Sequence, residues 1–178
     1  LVQSDGKILL AGYSASPTTF DFSLARFLPN GDLDATFGTD GKVITDINGT
    51  DNAAFGAALQ PDGKILLVGY SGGFGSEDIA VVRYLTNGSL DPDFANAGIG
   101  LYQLGSSRDV GYAIDVQTNG KIVVVGVTRT TGLSSMDVAI LRLDSSGMLD
   151  ATFDSDGKNQ IDVAGGADFG FDLVIQPD

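Results

Sequence analysis

Arg26, Arg83 and Arg142 each stand eight residues ahead of an aspartate, Asp34, Asp91 and Asp150. A guanidinium and a carboxylate at a fixed, recurring spacing can act as charged rings that hold an ionic ligand. They can also bond to each other and lock the chain between them with charge-assisted hydrogen bonds. The arginines close apolar stretches, and buried charges persist when paired, so the locking role is expected at all three. A second polar set, Asp21, Asp78 and Asp137, opens those apolar stretches directly after the variable segments 14–20, 71–77 and 128–136. Asn52, Asp109 and Asp168 precede stretches rich in Gly and Ala. With Phe20 and Phe74, these residues form a candidate binding rim, for which strand-end capping by the aspartates is the competing role.

Most catalytic templates fail on composition. The chain has no Cys, His or Trp, which removes disulfides, thiolate or imidazole zinc sites, and every Ser-His-Asp arrangement. The run Asp154-Ser155-Asp156-Gly157 partly resembles a calcium loop, but such a loop needs Glu at its twelfth position, and here that position is Gly165. The matching segment of the second repeat, Ala95-Asn96-Ala97-Gly98, has no carboxylate, so a turn is expected and no metal or other cofactor. A glycosidase needs two carboxylates of separated pKa across one cleft, which abundant Asp permits without indicating. The expectation is a protein that is not an enzyme.

Charge narrows the partners. Ten Lys and Arg stand against 23 Asp and Glu, for a net charge of −13, which repels phosphate backbones and anionic lipid surfaces. Neither nucleic acid nor membrane insertion is expected, and no apolar run approaches the roughly 18 residues of a membrane helix. Glu77 is the lone glutamate, so the acid is nearly all Asp, a turn and cap residue. With 25 Gly, the composition points to strands joined by tight turns.

The elements that carry these residues recur. Gly6, Gly63 and Gly120 each sit in a Gln-x-x-Gly-Lys-Ile context, 57 residues apart, and Gln176 begins a further copy 59 residues after Gln117. Leu33-Asp34, Leu90-Asp91 and Leu149-Asp150 follow in step, then Phe37, Phe94 and Phe153. The units run 2–58, 59–115 and 116–174, with the start of a fourth at 175–178, in a single repeat domain over 1–178.

Four β patterns fill each unit. The first, Gly/Ala-rich, covers 53–60, 111–117 and 170–176. After Asp-Gly or Asn-Gly hairpin signals, the second covers 7–13, 64–70 and 121–127, and its continuous Ile/Leu/Val content predicts burial on both faces. The third, 21–28, 78–85 and 137–143, is again apolar on both faces. A more polar fourth lies near 41–47, 98–104 and 157–163. Small residues innermost, two buried strands and a polar edge are what a β-propeller blade requires, because blades crowd near the axis and fan apart outward. The predicted fold is all-β: a propeller-like array of three four-stranded antiparallel blades. A sandwich has no reason to repeat four strands in step, and a solenoid repeats at a shorter period.

Three blades do not close a ring of about four to eight. The array is expected to be an open arc and, because it opens at Leu1 inside a repeat, an excerpt of a larger propeller. Its end faces are expected to be covered by further blades of the parent chain or by association of copies.

The succession Gln60-Pro61-Asp62-Gly63-Lys64-Ile65, Asp78-Ile79-Ala80-Val81-Val82-Arg83-Tyr84 and Asn87-Gly88-Ser89-Leu90-Asp91-Pro92-Asp93-Phe94 resembles the delta-60 repeat family of bacterial secreted and surface proteins. The resemblance implies β-propeller blades and an extracellular or cell-surface setting, and names no ligand. The third unit departs from it, with Asn119 for Asp and Val127 for Tyr. The expected function is a non-catalytic extracellular propeller segment for protein interaction, adhesion or surface architecture. The alternatives are a lectin-like propeller that binds glycans and, further off, part of a glycoside-acting enzyme.

Overall fold

The computed structural model describes residues 1–105, 107–129 and 135–176. Eleven strands form three separate antiparallel sheets, with no helix among the described residues. The first sheet is β1 (Ile8–Ala15), β2 (Phe20–Phe27) and β3 (Lys42–Thr45). The second is β4 (Asn52–Leu59), β5 (Ile65–Ser71), β6 (Asp78–Tyr84) and β7 (Ile99–Tyr102). The third is β8 (Arg108–Val116), β9 (Ile122–Arg129), β10 (Asp137–Leu143) and β11 (Lys158–Ile161). Each sheet runs in chain order from its first strand to its last, none closes on itself, and the fold is the expected open propeller-like array.

Hairpin chemistry sets the register. Gly63 sits at φ 83°, a left-handed conformation that favours glycine. Its N–H donates to the Gln60 carbonyl at 2.9 Å while Gln60 N–H donates to Lys64 O at the same distance. Gly6 and Gly120 repeat this at φ 81° and 82°.

Alternation along the two central strands then builds two cores. Ile65, Leu67, Ala80, Val82 and Tyr84 pack with Leu9, Phe22, Leu24 and Phe37 of the first sheet. The intervening Leu66, Val68, Ile79 and Val81 pack with Ile122, Val124, Leu141 and Leu143 of the third. The second sheet is thus buried on both faces, as its unbroken apolar runs predict.

Two departures come from the ends of the array. The first sheet has three strands rather than four: Leu1 exchanges backbone hydrogen bonds with Leu9 and Val2 bridges Ile8, and among the described residues no strand pairs with β1 on the edge opposite β2. The predicted first strand at 170–176 has no strand partner among the described residues, and so forms no ladder, although Gly170 N–H reaches the Gly126 carbonyl of the third sheet at 3.3 Å. The fourth strands are also shorter than predicted, four residues each.

Candidate functional site

The Arg–Asp pairs are joined as expected, and a third residue joins them. Asp34 Oδ2 lies 2.9 Å from Arg26 Nε and 3.2 Å from Lys7 Nζ. In the second repeat Asp91 Oδ2 is 2.8 Å from Arg83 and 3.1 Å from Lys64. In the third, Asp150 Oδ2 is 2.7 Å from both Arg142 and Lys121. Sequence reasoning missed the lysines, although each follows the turn glycine in all three repeats. Each guanidinium also lies over an aromatic ring, 4.5 Å from the Phe37 and Phe94 centroids and 4.9 Å from that of Phe153.

These stations hold one sheet to the next. Arg26 donates to the Thr86 carbonyl of the second sheet at 2.6 Å, and Arg83 donates in the same way to Ser145 O of the third. Gly38 N–H donates to Asn87 O at 2.9 Å, and Ala95 N–H to Ser146 O at 2.7 Å. The Thr36 hydroxyl is the main cause that holds the Asp34 carboxyl far below its ordinary range, and for Asp150 it is Lys121. Burial pushes Asp91 upward, but the Asp93 N–H, Lys64 and Arg83 together outweigh it and hold the group low. Asp34 and Asp150 thereby accept two donors on each carboxylate oxygen, and Asp91 three in all, which leaves these groups little capacity for a ligand.

The predicted rim resolves into capping groups and one solvent-facing surface. Asn52 is fully buried and donates to Thr50 O at 2.7 Å. Asp109, also buried, accepts from Leu104 N–H at 2.7 Å, Gly105 N–H at 3.1 Å and the Thr128 hydroxyl. Asp168 accepts from Val163 N–H at 2.9 Å. All three close the connection that leads into the next inner strand.

The strand-opening aspartates differ among themselves. Asp137 accepts from the Gln160 amide, and its carboxylate converges with those of Asp162 and Asp168 within 4.8 Å. Burial, then the Asp109 charge, pushes the Asp78 carboxyl above its ordinary value. Asp21 buries one oxygen, Oδ1, without a hydrogen-bond partner. Phe74 is 97% exposed. Of segment 128–136, residues 130–134 lie outside the described residues.

What the structure brings together instead is a run of aromatic rings across the inner strands. Phe20 meets Tyr13 at 5.4 Å between centroids, and Tyr13 meets Phe55 at 6.4 Å. Phe55 contacts Tyr70 at 5.9 Å and Tyr112 at 5.5 Å, and Tyr112 contacts Phe171 at 5.4 Å. Only Phe20 of this set was legible as a rim residue. The missed signal is that Phe55, Tyr112 and Phe171 occupy one repeat position, 57 and 59 residues apart.

The backbone explains the strip. Pairing of β4 with β5 passes from Ala54 to Gly56, and that of β8 with β9 from Gly111 to Ala113, so Phe55 and Tyr112 are the extra residues of β-bulges. A bulge re-aims its side chain away from the ladder. Neighbouring sheets then approach closely: a Cβ on Gly56 of β4 would stand 2.6 Å from Tyr112 O of β8, and one on Gly111 of β8 would stand 2.4 Å from Val68 Cγ2 of β5. Phe55, Tyr13, Phe20 and Phe171 remain substantially exposed. Asp51 and Glu77 flank Tyr70, whose phenol is pushed upward by burial and then by these two charges.

Comparison with known proteins adds the family. No curated protein matches the chain. A family described as a domain of unknown function (DUF5122) beta-propeller matches residues 3–37, 60–94 and 117–153. Those three segments contain every Lys, Arg, Asp and Phe of the stations, whereas Phe55, Tyr112 and Phe171 fall outside them. With its repeats matched in register over more than half its length, the chain belongs to this DUF5122 β-propeller family.

Proposed function

We propose that the chain is a non-catalytic, extracellular, delta-60-type propeller segment that binds a protein partner along the aromatic strip. The observation that carries this reading is the ring run from Phe20 through Phe55 and Tyr112 to Phe171. Aromatic side chains dominate binding energy in interfaces because they bury much apolar area at little entropic cost. The carboxylates of Asp34, Asp91 and Asp150 are taken up by their Arg and Lys partners, and that of Asp109 by the connection it caps. Asp51 beside the strip, on a chain of net charge −13, favours a partner segment that is basic as well as apolar. The extracellular setting rests on the family resemblance and on an acidic, Cys-free composition.

A second reading, a glycan ligand, is favoured by the same half-exposed rings with carboxylates beside them, an arrangement suited to stacking on a sugar face. Panning a displayed peptide library against the wild-type chain and a Phe55→Ser/Tyr112→Ser variant, with a glycan array in parallel, separates the two. Enrichment of basic, apolar peptides by the wild type alone is the expected result. Glycan signals that the double variant loses would replace it with the second reading. Binding that the variant retains in full would remove the strip from both.

A further inference from the structure

The dipeptide Asn-Gly occurs at Asn30-Gly31, Asn48-Gly49, Asn87-Gly88 and Asn119-Gly120. It holds the parts of an intramolecular reaction. The glycine nitrogen can attack the asparagine Cγ, because a residue without Cβ does not block the approach. Two local conditions decide whether it does so. The side-chain amide must be free to swing over the backbone, and the glycine N–H must be free to lose its proton.

Three of the pairs fail both conditions. Asn30 Oδ1 accepts from Asp32 N–H at 3.1 Å while its Nδ2 donates to Asp32 Oδ2 at 2.8 Å. Asn87 Oδ1 accepts from the Ser89 N–H at 3.0 Å and from its hydroxyl at 2.7 Å, and Asn119 Oδ1 accepts from Lys121 N–H at 3.0 Å. These side-chain turns pin each amide to the second residue on. In all three the glycine N–H donates to a backbone carbonyl: Gly31 to Leu28 O, Gly88 to Leu85 O and Gly120 to Gln117 O. Gly88 is also buried, and a Cβ there would stand 2.9 Å from a Val43 methyl and 3.0 Å from the Phe37 ring.

Asn48-Gly49 meets both conditions. Asn48 is exposed, and its side-chain amide makes no hydrogen bond among the described residues. Gly49 N–H donates at 2.9 Å to Asp46 Oδ1 rather than to the backbone. Asp46 is exposed, so a rotamer change of that side chain releases the N–H without opening the turn. A Cβ at Gly49 would meet nothing within 4 Å, which leaves room for a planar ring.

We propose that Asn48 deamidates spontaneously in the folded chain, and that the fold protects the other three asparagines. Gly49 N loses its proton to water or hydroxide and bonds to Asn48 Cγ. The Cγ–Nδ2 bond breaks, and Nδ2 leaves as ammonia. Water then opens the five-membered imide at either carbonyl, giving aspartate or isoaspartate, with nothing oxidised or reduced. The product carries one more negative charge in the connection between β3 and β4, the segment that also carries Asp51. The isoaspartate form lengthens the main chain there by one methylene.

Trypsin places the four pairs in separate peptides, 27–42, 43–64, 84–108 and 109–121. The wild-type chain is incubated at mildly alkaline pH, folded or in urea, then digested and scored for the mass change of deamidation and for isoaspartyl methylation. In urea all four peptides are expected to convert at similar rates. In the folded chain 43–64 is expected to keep converting while the other three slow by about tenfold or more, as groups released only by local opening do. Isoelectric focusing of the folded wild type is expected to show an acidic form that accumulates with time and that Asn48→Ser abolishes. Conversion of 43–64 no faster than that of the other three in the folded chain, or conversion at Asn52 instead of Asn48, overturns the proposal.

Discussion

Arg83 Nε lies 2.8 Å from Asp91 Oδ2 inside the second sheet, and the same guanidinium donates to the Ser145 carbonyl of the third. One side chain therefore ties its own strand connection to the neighbouring blade, and its stacking on Phe94 fixes the plane in which it does so. Arg83→Leu leaves the Asp91 carboxylate buried with Lys64 as its remaining cation, and removing one partner of a buried pair costs about 3–5 kcal/mol. Arg142→Leu is expected to cost clearly less, because the Arg142 side chain is more exposed than that of Arg83. Urea unfolding of the two variants compares them directly.

Acid and alkali are expected to destabilise the chain for separate reasons. Asp34, Asp91 and Asp150 are held below the ordinary aspartate value of 3.8, so the unfolded chain takes up protons first as pH falls through it. Stability is full above that value and declines below it. Burial pushes the Tyr84 and Tyr102 phenols above their ordinary value of 10.0, so the unfolded chain loses these protons first. Stability is full below that pH and declines above it. Melting temperature measured across pH should show a plateau with both shoulders, and an Asp91→Asn variant should have a weaker acid one.

Gly111→Val and Gly12→Val form a matched pair. At Gly111 the new side chain would enter the Val68 methyl and crowd that of Ile79, and overpacking of this kind costs about 1–3 kcal/mol or more. At Gly12 a Cβ meets nothing within 4 Å, and the gain in strand propensity offsets any loss. Chemical denaturation should show a large fall for the first and little change for the second.

Tyr84 donates its hydroxyl to Thr45 Oγ1 at 2.8 Å across the interface between the first two sheets. Tyr84→Phe keeps the packing and removes that bond, at about 1 kcal/mol. Thermal unfolding of the single variant, with Thr45→Val and the double variant to complete the cycle, isolates the pair.

Architecture was legible because it is written in repetition: the turn glycines, the Arg–Asp spacing and the doubly apolar strands each recur in register, and each has one physical meaning. The functional surface was less so. Asp109 and Asn52 look the same in sequence whether they cap a connection or contact a ligand, and only burial separates the two. Phe55 and Tyr112 sit in small-residue stretches that signal close strand approach, and nothing local marks them as bulged. Phe74 has the right residue type in the right loop, but the structure leaves it apart from the strip. The lysines of the stations follow a turn glycine, where a solvated charge is the ordinary expectation, and their reach to Asp34, Asp91 and Asp150 depends on strands far along the chain.

The account rests on the sheets stacking face to face with the turn of one seated on the ring of the last. A Cβ at Gly147 would lie 2.7 Å from Phe94 Cε2, so the ring lies directly against this glycine. Nuclear Overhauser spectroscopy should show contacts from the Phe94 ring protons to the Gly147 α-protons, with those α-protons displaced by the ring current, and the same from Phe37 to Gly88. Gly147 α-protons at ordinary shifts with no contact to Phe94, in a chain otherwise folded, would contradict the stacking on which every other inference depends.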